Sequence, residues 1–232
     1  TLSYTYRNLL FRNYLNINNA KSSESPYGEF SEYVKQNPYW RPYDENGNVN
    51  KLLGNPGNRD YDQYWSALPT NPLYNATLNT YDKNNSNTIT NNTSVEWRII
   101  PELNLRAQFG ITKQNIQGDR FRPAEHTEFA NYSGADLIRK GDYKYSIANG
   151  FSYDGSLNVD YNKKIKDLHA IYAGASLNMR QDETSAYSFI AEGFPNANLD
   201  FITMGLQYAK GGKPTGNEQF NRAIGFVGNL NY

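Results

Sequence analysis

Between Thr88 and Gln114 the sequence TITNNTSVEWRIIPELNLRAQFGITKQ alternates with a period of two. Leu103, Leu105, Ala107, Phe109 and Ile111 fall on one face of an extended chain, and Asn104, Arg106, Gln108, Gly110 and Thr112 fall on the other. Upstream, Ile89, Val95, Trp97 and Ile99 share a face, opposite Thr90, Asn92, Glu96 and Arg98. Pro101 and Glu102 lie between the two runs. Proline fixes φ and has no N–H to offer a ladder, so the turn belongs there. The stretch predicts two β-strands joined by a very short turn. Sliding the pairing by one residue would move Glu96, Arg98 and Arg106 to the apolar side. Were that side in lipid, an arginine near the midplane would cost roughly 2–4 kcal/mol. The pattern sets register as well as strand.

The remaining composition narrows what such strands can build. Tyrosine occurs 20 times, aromatics make up 15% of the chain, and mean hydropathy is −0.80. Polarity of that degree suggests disorder, but the aromatic content argues against it. A transmembrane β-barrel reconciles the two, because only alternate residues meet lipid, the lumen is polar and aromatic girdles mark both interfaces. A large soluble β-sandwich with polar loops is the competing fold.

With 23 basic and 23 acidic residues the chain is formally neutral, which leaves no electrostatic footprint for nucleic acid. Cysteine is absent, excluding disulfides and thiolate metal sites. No apolar run reaches the roughly 18 residues of a membrane helix. The 232 residues begin and end in strand-like sequence, and the expectation is a piece of a longer protein.

Six strands are predicted, near residues 1–17, 87–100, 103–114, 146–162, 168–180 and 219–232. In the first, Leu2, Tyr4 and Tyr6 alternate with polar residues until Leu9-Leu10-Phe11 breaks the pattern, at a bulge or where the strand leaves the membrane. Ile147, Phe151, Tyr153, Leu157, Val159 and Tyr161 share one face of the fourth. Long connections are expected over 18–86, 115–145 and 181–218. Within them, 28–36 could be a short helix, and 199–208 a helix or a short strand.

Connection lengths then run long, short, long, short, long. Antiparallel strands alternate direction, so all long loops emerge at one end and both tight turns at the other. Outer-membrane barrels sort their loops this way, and a soluble sandwich has no reason to. The predicted fold is therefore all-β, an antiparallel transmembrane β-barrel segment with long extracellular loops. Six strands are too few to close, and open edges in hydrocarbon are not tolerated, so an arc of a larger barrel is expected.

Catalytic signals are weak, and the expectation is no enzyme, no cofactor and no metal. His126 lies between Glu125 and Glu128 in a loop with no third ligand nearby. Asp44-Glu-Asn-Gly-Asn48 begins like a calcium loop but lacks its glycine and glutamate, and reads as an Asn-Gly turn. The richest stretch is the aromatic first loop. Tyr39, Trp40, Arg41 and Tyr43, with Tyr61 and Trp65, are candidate ligand contacts, since aromatic faces stack on sugar rings or peptide side chains. The alternative is that these rings pack the loop on itself or on a partner. Glu96, Arg98, Asn104 and Arg106 are expected to face the lumen.

Several motifs carry a resemblance. Asn71-Pro-Leu-Tyr-Asn75, the strand pair around Ile99 to Arg106 with Phe109-Gly110, Ala191-Glu-Gly-Phe-Pro-Asn196 and the closing run from Ile224 to Tyr232 resemble the SusC/RagA-type TonB-dependent outer-membrane transporters of Bacteroidetes. That resemblance implies a 22-stranded barrel with an N-terminal plug, neither plug nor TonB-contacting segment lying in these residues. It also implies a SusD-like lipoprotein partner and import of a nutrient, glycan or peptide, across the outer membrane of a Gram-negative cell. The rival functional reading is a secreted or surface-anchored glycan-binding β protein such as an adhesin. A glycoside hydrolase stands third, with no carboxylate pair that can be placed from sequence.

Overall fold

A computed structural model describes residues 1–53, 69–166 and 168–232. Among these residues eight strands form one antiparallel sheet: β1 Leu2–Tyr6, β2 Leu9–Ser23, β3 Tyr81–Ile100, β4 Leu103–Arg122, β5 Asp142–Ile165, β6 His169–Glu192, β7 Gln207–Tyr208 and β8 Thr215–Asn231. Neighbours in sequence are neighbours in the sheet as far as β6. Both β7 and β8 then pair with β6, β7 beside its C-terminal end and β8 along the rest. The sheet does not close on itself.

The predicted hairpin forms in the predicted register. Trp97 lies opposite Leu105, Val95 opposite Ala107 and Glu96 opposite Arg106. Directly opposed residues of an antiparallel pair share a face, so the register can be followed across the whole sheet. One row reads Tyr4, Phe11, Val95, Ala107, Leu157, Leu177 and Phe226; the next reads Leu9, Trp97, Leu105, Val159, Ala175 and Gly228. Rows of the other face read Arg12, Ser94, Gln108, Ser156 and Asn178, then Glu96, Arg106, Asn158 and Ser176. One side of the wall is mainly apolar, interrupted by Asn13, Thr93, Asn91, Gln181 and Arg222, and the other is mainly polar, with Leu10 and Val227 at its two ends. Leu105, Phe109, Leu157 and Val159 are not covered by a second sheet; Phe109 and Leu157 rank among the exposed large hydrophobic residues. Among the described residues the apolar face is left open, unlike the packed inner faces of a sandwich.

Three sequence expectations change. The first strand is two. Arg7, at φ 52°, turns the chain into a hairpin between β1 and β2, and this turn accounts for the broken alternation at Leu9-Leu10-Phe11. At the β3–β4 turn a bulge leaves Ile99 without a cross-strand partner, so it is not a member of the Trp97 face by register. The strands are also far longer than their apolar stretches. β5 and β6 each hold 24 residues, against the 9–11 or so that cross a bilayer. The long connections shrink accordingly, to 24–80, 123–141 and 193–214. They still leave from one end, and three short connections, at residues 7–8, at 101–102 and between Ile165 and His169, now close the other.

Lengthening has a plain cause. From Lys113 to Arg120 both faces of β4 are polar apart from Ile116, so no hydropathy period marks that part of the strand. The backbone ladder continues, and side chains bridge adjacent strands, as Asn115 Nδ2 does to Asn149 Oδ1 at 2.8 Å. Asn19, Asn87, Asn115 and Asn149 form one row across β2 to β5.

At the loop-bearing end the apolar face gains a small core. Phe121, Tyr143 and Ala191, from the strand ends, pack against Phe194. The Phe121 and Phe194 rings meet edge-on with centroids 5.3 Å apart. Burying each ring stabilises by about 2–3 kcal/mol. Gly141, at φ 85°, makes the close approach possible: a Cβ there would lie 2.9 Å from that of Phe194. The 193–214 connection is thereby folded back over the strand tops. It contains a 3-10 turn, Ile202–Met204, as well as β7. In the first connection, helix α1 spans Phe30–Val34 and α2 spans Pro72–Asn75, the latter capped by the Asn71 side chain.

Candidate functional site, a charged cleft at the rim

The polar face ends at the loop-bearing rim in a row of ionised groups. Arg122 of β4 and Asp142 of β5 are opposed in register. Arg122 Nε donates to Asp142 Oδ1 at 2.9 Å, and a second nitrogen reaches the other carboxylate oxygen. Its Nη1 lies 3.3 Å from Glu128, and the guanidinium sits over the Phe129 ring, 5.6 Å from its centroid. Further along the row, Arg139 donates to both oxygens of the buried Glu192 at 2.8 and 3.0 Å, and Gln207 adds a third bond. Burial pushes the Glu192 carboxyl up, but these bonds outweigh it and hold it below the usual range. The two clusters tie the second and third connections to the wall.

Two adjoining clefts, of about 360 and 520 Å³, open beside this row and share Glu32, Asn75, His126 and Glu128. The smaller is also lined by Arg120, Arg122, Asp82 and Glu24. Asn75 holds the two loops together, donating to Thr127 Oγ1 at 2.8 Å and accepting from the Thr127 N–H at 3.0 Å. Arg120 is left with donors to spare. Asp142 is committed to Arg122, Arg120 approaches it only to 3.6 Å, and the Arg120 Nε is buried without a hydrogen-bond partner. His126 Nδ1 accepts from the Glu128 N–H at 3.1 Å, so the proton of the neutral ring sits on Nε2. Burial first, and then the charge of Arg122, lower its pKa to about 4, keeping the ring neutral near pH 7. The cleft thus offers nitrogen donors from Arg120 and His126, and carboxylate acceptors from Glu24, Glu32 and Asp82. Among the described residues no group of three or more His, Asp or Glu side chains gathers to hold a metal ion.

The positions expected from sequence are placed as follows. Glu96, Arg98, Asn104 and Arg106 share the polar face, Arg98 opposite Asn104 and Glu96 opposite Arg106. Glu96 pairs with Arg12 of β2 at 3.3 Å, while the Nε of Arg106 is buried without a hydrogen-bond partner. Tyr39, Trp40, Arg41 and Tyr43 lie in the first connection but line neither cleft. Tyr39 is 91% exposed, and Tyr43 forms an isolated bridge with Val49. Tyr61 and Trp65 lie outside the described residues. Asp44 accepts from the Asn46 and Asn48 N–H groups, with Gly47 at φ 84°, which is the expected Asn-Gly turn. His126 caps the 3-10 turn Thr127–Phe129.

Sequence reading missed Arg120, Arg122 and Asp142 as a group, having placed all three in a loop. The available signal was Arg120, Phe121 and Arg122 immediately before Pro123, one more turn of alternation ended by a strand terminator.

An open antiparallel wall, apolar on one face, with every long connection at one rim, defines the class as an arc of a large β-barrel. Solved structures agree. The chain superimposes on the RagAB peptide importer in its open-open state with a TM-score of 0.72 at 17% identity, covering 98% of this chain and 24% of that one. Against the closed-closed state the TM-score is 0.73 at 18% identity, covering 99% and 24%. A further structure of the RagAB peptide transporter gives 0.70 at 16%, covering 97% and 24%. The likeness falls on the transporter type that the sequence motifs resembled, and this chain spans about a quarter of each matched chain. No family model matches the sequence, and no curated protein matches it.

Proposed function

We propose that this chain is part of the barrel wall of a TonB-dependent outer-membrane importer that takes up peptides and works with a SusD-like lipoprotein. The observation that carries the reading is the sidedness of the wall. From Leu103 to Lys113 the strand climbs about 33 Å at ~3.3 Å per residue, or about 25 Å of height at a tilt near 40°. That is the height of a lipid-facing band. The opposite face, with Glu96, Arg98, Asn104 and Arg106, then lines the lumen, and the charged cleft sits at its external mouth.

Peptide is preferred over glycan because the cleft presents both donors and carboxylates. A peptide main chain supplies carbonyls to Arg120 and His126 and N–H groups, with the terminal ammonium, to Glu24, Glu32 and Asp82. The solved neighbours being peptide importers supports the same choice. Tyr39 and Trp40, on the first connection, supply aromatic contacts to ligand or lipoprotein. The chain does no bond chemistry; movement of a plug, driven through TonB, opens the path.

The test is to isolate the full-length parent from its native host. Fractionation with the outer membrane, dependence on detergent, a co-purifying lipoprotein and peptides in the acid eluate are expected. An oligosaccharide eluate overturns the peptide reading. Recovery as a soluble protein overturns the barrel placement. Trp40→Ala in that parent should weaken peptide binding, and unchanged affinity removes Trp40 from the site.

A further inference from the structure

Directly above the apolar band, on the same outward face, the wall changes character on β2 to β4, while β5 and β6 carry Ile147, Tyr187, Tyr145 and Phe189 beside it. Ile17, Ile89 and Phe151 end the band, with Lys113 between Ile89 and Phe151. The next row is asparagine: Asn19, Asn87, Asn115 and Asn149. Above it come Lys21, Asn85 and Gln117, and then Lys83. Lys21, Lys83 and Lys113 therefore stand on three adjacent strands within four rows. All three are exposed, and none makes an ion pair among the described residues. The acids nearby do not neutralise them. Asp119, opposite Lys83, accepts instead from Gln117 and the Tyr143 hydroxyl. Glu183 is two strands away from Lys113, beyond Phe151. Lys83 leans over the Tyr81 ring, 4.3 Å from its centroid.

We infer that this strip binds the phosphorylated sugar headgroup of an outer-leaflet glycolipid. The inference rests on the lipid-facing placement proposed above. The height is right, since the strip begins where the hydrocarbon ends, on the side of the long external loops. The chemistry is right as well. Three ammonium groups without carboxylate partners suit phosphate, and a row of amides offers both donors and acceptors to sugar hydroxyls.

The test uses the full-length parent in detergent, challenged with equal amounts of diphosphoryl lipid A and its dephosphorylated counterpart and read by native mass spectrometry. Wild type should retain the diphosphoryl form at least tenfold better. The K21Q/K83Q/K113Q variant should lose that preference. A control with the same charge change elsewhere, K144Q/K164Q/K213Q, should keep it. Equal retention of the two lipids by wild type, or full retention by the K21Q/K83Q/K113Q variant, overturns the inference while leaving the importer reading intact. A wild-type protein that is soluble without detergent overturns both.

Discussion

His126 shows how much a single side chain can carry at the rim. Its folded pKa of about 4 lies below the unfolded value of about 6.5. The unfolded state therefore binds more protons between those values, and stability rises with pH across that window and falls as pH drops through it. Acidifying from pH 7 to 5 should cost about 2 kcal/mol of local stability in the 123–141 connection. Hydrogen exchange of the Thr127–Phe129 amides should speed up over that range in wild type, and the pH dependence should vanish in His126→Asn. Gly141 carries weight of a different kind. Its left-handed φ and its contact with Phe194 leave no room for a Cβ. Gly141→Ala should destabilise the rim by about 1–3 kcal/mol, read as faster proteolysis of the 193–214 connection with the strands still protected.

Strands are built from two different sources of order. Over the band, apolar alternation and backbone pairing act together. Above it, pairing continues with amide ladders such as Asn115 to Asn149. A pair of substitutions on β5 separates the faces. Leu157→Arg places a guanidinium in the band and should cost roughly 2–4 kcal/mol, seen as loss of the folded, heat-modifiable species of the parent. Ser156→Arg, one residue away on the polar face, should stay within about 0.5 kcal/mol of wild type. Reversed effects would mean that the faces have been assigned the wrong way round, and equal effects that neither face meets lipid. The hairpin turn at Pro101 and Glu102 was legible because proline announces it. The turn at Arg7 was not, because arginine is an unusual residue at positive φ and only pairing of Tyr6 with Leu9 reveals it.

As a whole the sheet is open among the described residues, with β1 and β8 unpaired on their outer edges and β2, paired throughout with β3, lacking a partner on its β1 side beyond Asn13. Hydrocarbon cannot satisfy those backbone groups. The 232-residue chain alone in detergent should therefore aggregate, whereas the parent should remain monodisperse; a well-behaved fragment in size-exclusion chromatography would contradict the arc. Loop sidedness belongs to this scale too. It was readable from connection lengths, and the structure adds a third short connection to the same end.

The sequence alone determined which side chains share a face, where the main hairpin turns, and that long connections gather at one rim. Period-two alternation is a local property, fixed by the pleat and visible wherever one face meets an apolar medium. Only the tertiary structure decided how far the strands run past the band, how Arg120 and Arg122 compete for Asp142, and how Phe194 closes over Phe121. Those features arise where both faces are wet or where partners come from distant segments. No periodicity records them, because the contacts themselves supply the order.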